Sequence, residues 1–139
     1  MSSWKRSFDR LNSEYETIMK KKHALSSLFS SGRISQSTYE LFDKEMNEAI
    51  AEIDRHRKAL LDKISAKASE LEEQIKTLEK LLANFEIQHV GGEVAEEVYQ
   101  QEVTLLSIGL ESVKQELNAI KETMEKLTSI PQAPESLTT

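Results

Sequence analysis

Cysteine is absent from the 139 residues, which excludes disulfides, thiolate nucleophiles and cysteine-ligated metal. Only two prolines and four glycines occur, so a helix has few places where it must stop. No stretch alternates apolar and polar residues between turn signals, so no sheet is expected. No apolar run approaches the roughly 20 residues that span a bilayer. The opening Met-Ser-Ser-Trp-Lys-Arg-Ser-Phe holds no apolar core for a secretion signal. Together with the missing cysteines, this suggests a cytoplasmic protein, at most peripheral at a membrane. Nucleophile motifs, phosphate loops and dinucleotide fingerprints are lacking. His23, His56 and His89 lie far apart, and the pairs Glu72-Glu73 and Glu96-Glu97 point to different sides of a helix. No catalysis, cofactor or metal is therefore expected, and no carboxylate–histidine metal element. A net charge of −6 argues against a specific nucleic-acid partner.

What is present is a repeat. Gly32-Arg33-Ile34-Ser35-Gln36-Ser37-Thr38-Tyr39 aligns without a gap with Gly92-Glu93-Val94-Ala95-Glu96-Glu97-Val98-Tyr99, sixty positions later. The register continues from Met46 and Leu106 through Ile50 and Leu110, Ile53 and Val113, to Leu60 and Ile120. Each copy reads as a helix stop followed by a helix start. Gly32 can supply the left-handed residue that helix C-termini favour, and Gly91-Gly92 breaks the helix again. Ser35 is a candidate N-cap, with Ser37 and Glu40 as an alternative capping box.

The fold expected is all-α: an antiparallel coiled-coil domain over residues 1–129, with helices at about 3–29, 35–87 and 95–128. At ~1.5 Å per residue the central helix would be roughly 75–80 Å long, with both ends of the chain folded back on it. The free ends of the outer helices are then expected to meet near residues 55–61, where His56-Arg57 interrupts the apolar stripe. The stripe steps by three and four residues. Its seam, also the candidate self-assembly surface, comprises Phe8, Leu11, Tyr15, Phe42, Met46, Ile53, Leu71, Ile75, Leu78, Tyr99, Leu106, Leu110, Val113 and Leu117. Trp4, Ile18, Leu25, Phe29, Leu60, Ile64, Ala68, Leu82, Phe85, Val103, Ile120, Met124 and Leu127 continue it. Gly109 sits one residue off the stripe, either as a tolerated helix glycine or at a close helix crossing.

Several apolar residues fall outside the stripe: Met19, Leu28, Leu41, Leu61, Leu81, Leu105 and Ile108. A second apolar edge predicts a further helix partner, and a homodimer packed as a four-helix bundle is expected. Charge is segregated: residues 1–33 carry seven basic against three acidic groups, and residues 93–139 carry three against nine. Lys20, Lys21 and Lys22 form the densest basic cluster. It suits either an anionic membrane surface or polyanion, or a solvated helix face near a C-terminus. Residues 130–139 read as a disordered tail, with Pro131, Pro134 and Leu137 as a candidate ligand for a folded partner domain.

The opening Trp4-Lys5, residues 34–39 after the first turn, Ser69-Glu70-Leu71-Glu72-Glu73-Gln74-Ile75, and Gly92-Glu93-Val94 with Tyr99 resemble the coiled-coil region of the archaeal cell-division family CdvA over about residues 4–128. The resemblance implies a non-enzymatic scaffold of an ESCRT-like division apparatus that self-assembles, associates with membrane and recruits an ESCRT-III-like partner. Family members usually carry an N-terminal β-barrel of the PRC type and a long C-terminal linker ending in a docking peptide. This sequence starts at the coiled coil, so membrane targeting and recruitment do not carry over with it, whereas helical self-assembly does. Residues 85–117 are also similar to the helical hairpins of the ESCRT-I stalk and headpiece, which would imply a hetero-oligomeric adaptor subunit.

Overall fold

The computed structural model describes residues 3–129, and the candidate tail ligands Pro131, Pro134 and Leu137 lie outside them. Three helices occur: α1 (Ser3–Ser30), α2 (Gln36–Val90) and α3 (Glu96–Ser129). No strand is present among the described residues. The expected double hairpin is found, with α1 returning on the first part of α2 and α3 on the second. Two compact units result. One comprises the chain up to Asp62 with the last turn of α3 from Lys126, and the other comprises Lys63–Glu125.

Both turns are built alike. The N–H of Gly32 donates to the carbonyl of Phe29 at 3.0 Å, and that of Arg33 to Leu28 at 3.0 Å. Sixty residues later Gly92 donates to His89 at 3.1 Å and Glu93 to Gln88 at 2.8 Å. This pair of bonds is the Schellman closure, which satisfies orphan carbonyls at a helix end. It requires a left-handed residue, and the φ values are +74° at Gly32 and +70° at Gly92. The starts of the next helices differ. Ser35 Oγ accepts the N–H of Thr38 at 3.3 Å, an N-cap, while the capping box of Ser37 and Glu40 does not form. Ala95 stands where Ser35 would be, and α3 instead has Glu96 and Glu97 in its first turn, where negative charge suits the helix dipole.

In the first unit the buried edge of α1 is Trp4, Leu11, Ile18 and Leu25, a strict seven-residue series. Facing it, α2 buries Ala51, Ile53, Asp54, Arg57 and Leu60. The interruption expected at His56-Arg57 is resolved by rotation. His56 faces water, while Arg57 lies in the seam at 2% exposure. Lys22 occupies the seam position that no apolar residue fills, and its Nζ donates to Asn47 Oδ1 at 3.0 Å. Leu127, in the same unit, is fully buried. In the second unit the core is Ile64, Ala68, Leu71, Leu110, Leu117 and Ile120. Gly109 is a tolerated helix glycine and not a close crossing, since a Cβ there would meet Leu78 Cδ1 at an ordinary 3.8 Å.

Candidate interaction surfaces

The seam residues fall into three groups. Leu11, Ile53, Leu71, Leu110 and Leu117 are buried inside their hairpins. Phe8, Tyr15, Met46, Ile75, Leu78, Tyr99, Leu106 and Val113 are half-buried beside them. Phe42 does not belong to the seam: it is exposed. The three-four path on α2 runs Tyr39, Asp43, Met46, Ile50, Ile53, which leaves Phe42 one residue, about 100°, outside it. Asp43 takes the seam position instead and accepts Asn47 Nδ2 at 3.2 Å.

Sequence reading missed the buried ion cluster. Arg57 Nε and its terminal nitrogen both lie 3.1 Å from Asp54 Oδ1, and Lys58 Nζ lies 3.1 Å from Oδ2. Burial pushes the Asp54 carboxyl up, but hydrogen bonds from Lys58 and Arg57, and then their charges, outweigh it and hold it below the usual carboxylate range. The signal was available as Asp at i with Arg at i+3 and Lys at i+4. Nothing in that spacing says that the pair faces inward. Removing one partner of such a pair leaves an uncompensated buried charge.

The two turns carry equivalent aromatic stacks. Phe29 stacks on Tyr39 with ring centroids 4.5 Å apart, and His89 stacks on Tyr99 at 3.7 Å. The second stack is embedded in charge. Tyr99 donates to Glu86 Oε1 at 2.9 Å, and His89 Nε2 lies 2.8 Å from Glu96 Oε2. The hydrogen bond to Glu86 raises the Tyr99 phenol above its usual range, and that from His89 holds Glu96 below its own. Glu86 and His89 have the spacing of a carboxylate–histidine metal element, contrary to the expectation that none occurs. Both side chains are engaged with Tyr99, and no group of three or more His, Cys, Asp or Glu that could hold a metal exists among the described residues.

Outside the hairpins, Met19, Leu41, Leu81, Leu105 and Ile108 of the expected second edge are exposed, whereas Leu28 and Leu61 are half-buried. Phe29, expected to end the stripe of α1, is exposed instead and stacks on Tyr39 at the turn, and Ile87, Val90 and Val98 join the exposed set near the second turn. Lys20 and Lys21 face water, but Lys22 is tied to Asn47, so the three lysines do not act as one patch. No helix among the described residues is long and apolar enough to cross a membrane.

The sequence profile of the CdvA-like coiled-coil domain matches residues 3–139. The chain belongs to the CdvA-like coiled-coil family. A relative, Cell division protein A of Sulfolobus acidocaldarius, is 24% identical over 130 residues, covering 94% of this chain. The CdvA-like chain spans about half, 55%, of that relative's length. No solved structure gives a significant match. The family is one of cell-division coiled-coil proteins, and the carrying marks named above, Trp4, the two glycine turns and Tyr99, all lie in the matched region.

Proposed function

We propose that this CdvA-like chain is a non-enzymatic scaffold that associates with itself and serves an ESCRT-type division or membrane-remodelling apparatus. The match of the CdvA-like coiled-coil domain across residues 3–139 carries the reading. The exposed apolar residues support self-association, because a pair of helices covers only one face of each and leaves the other available. The first hairpin is the better self-contact. Residues 3–62 carry eleven basic and ten acidic groups, so two copies approach without net repulsion. Residues 63–125 carry six basic against thirteen acidic, and two copies repel. Met19, Phe29, Leu41 and Phe42 are then the apolar contacts, packing against a second copy as a four-helix bundle.

Sedimentation velocity over a wide concentration range tests this. Species that grow with concentration support it. A monomer at every concentration that also fails to bind any division protein contradicts it. The hetero-oligomeric adaptor reading gains from one observation only, the acidic outer face of α3.

A further inference from the structure

The outer face of α3 holds a second heptad pattern. Val98, Gln101, Leu105, Ile108, Ser112 and Gln115 follow one another at steps of three and four, and all six are exposed. Counting ~100° per residue, this stripe lies roughly 130° from the buried stripe of Leu110, Val113, Leu117 and Ile120. No charge interrupts it. The positions that border such a stripe, e and g of the heptad, hold Glu97, Glu102, Glu111 and Glu116 and no basic residue. Between Lys80 and Lys114 the chain has no Lys or Arg at all. Two shallow depressions lie along the face, one lined by Gln101, Thr104 and Leu105, the other by Ile108, Ser112 and Gln115.

The hairpin design does not require this surface. Sixty positions earlier, on the same kind of backbone, stand Thr38, Leu41, Glu45, Glu48, Glu52 and Arg55. Four of these six are charged, where α3 has none. Leu105 and Ile108 are 64% and 63% exposed, yet their counterparts are Glu45 and Glu48.

We propose that the outer face of α3 docks a helix of a different protein, one whose apolar stripe is flanked by Lys or Arg. Charges at the e and g positions select partners in paired helices. A second copy of this stripe would set Glu against Glu whether the helices ran parallel or antiparallel, which disfavours self-pairing here. The basic α1 of a second copy fits poorly too, since Trp4, Leu11, Ile18 and Leu25 are used inside its own hairpin. A foreign basic amphipathic helix satisfies both the apolar centre and the acidic borders.

The test uses the full chain and two synthetic helical peptides, each about four heptads long and with the same Leu and Ile stripe. One has Lys at the e and g positions and the other has Glu. Fluorescence anisotropy at low and high salt reads binding. The Lys peptide is expected to bind at least ~10-fold more tightly than the Glu peptide, with an affinity that weakens in salt. Leu105→Glu with Ile108→Glu, the residues the first hairpin carries, should reduce Lys-peptide binding at least ~10-fold with the melting curve unchanged. Should that variant misfold, Glu97→Lys, Glu102→Lys, Glu111→Lys and Glu116→Lys together serve instead and should shift the preference to the Glu peptide. Equal binding of both peptides would overturn the proposal. So would undiminished binding by the folded double variant, or an α3-mediated dimer of the parent chain that the double substitution dissociates.

Discussion

The two hairpins share a backbone and differ in nearly everything laid on it. Their turns repeat bond for bond at an offset of sixty, from the left-handed glycines to the closures on Leu28 and Gln88. Their stacks occupy equivalent positions, but one is Phe29 on Tyr39 and the other is His89 on Tyr99 among carboxylates. The first hairpin keeps charge inside, at Asp54, Arg57 and Lys22, and mixes both signs outside. The second buries no charged side chain and presents acid and exposed leucine and isoleucine outside. A fold set by glycine position and a three-four stripe constrains the turn and the seam, and leaves outer faces free to diverge.

The largest expected effect is at the second seam. Leu71→Asp or Leu110→Asp buries an unpaired carboxylate and should lower stability by about 4 kcal/mol or prevent folding, read by thermal melts. A melt like the parent's would show that the seam is elsewhere. In the first seam, Arg57→Ala leaves Asp54 buried with Lys58 alone and should cost about 3 kcal/mol in urea unfolding. The same site sets a pH dependence. Because the folded-state pKa of Asp54 is depressed, its contribution is present above the unfolded carboxylate value, about 3.9, and is lost as pH falls through the lower folded value. Asp54→Asn should therefore flatten the fall of melting temperature below about pH 4.

The turns test the likeness itself. Gly32→Ala and Gly92→Ala should each cost about 1 kcal/mol, and about equally, since both impose a positive φ on a residue with a Cβ. A strong inequality would mean that the two turns are alike only in outline. Their helix starts should differ: Ser35→Ala removes a cap and should cost about 1 kcal/mol, whereas Ala95→Ser should add up to about that much. Gly109→Ala is the smallest change, a gain of no more than about 1 kcal/mol, because the added methyl meets Leu78 at ordinary contact distance.

Much of this architecture could be read in the sequence, and the exceptions share a cause. The glycine turns and the series Trp4, Leu11, Ile18, Leu25 declared themselves because backbone freedom and apolar periodicity are local signals. Arg57 inside the seam was not legible, since charge reads as solvent-facing until its partner Asp54 is placed on the same face. Phe42 misled because its size outweighed Asp43, the residue the helical spacing favours. Leu105 and Ile108 stood out as apolar residues without a stripe. Their companions Gln101, Ser112 and Gln115 gave no apolar signal, so the outer face of α3 became visible only as geometry.

Sedimentation velocity on reciprocal surface swaps tests the central claim, that one scaffold carries two different contacts. Met19→Glu, Leu41→Gln and Phe42→Glu give the first hairpin the residues found sixty positions later, and Val98→Thr, Leu105→Glu and Ile108→Glu do the reverse. The account predicts that the first set abolishes concentration-dependent association and that the second leaves it intact. Loss of association by the second set alone would contradict it, and would make α3 the surface through which copies of this chain meet.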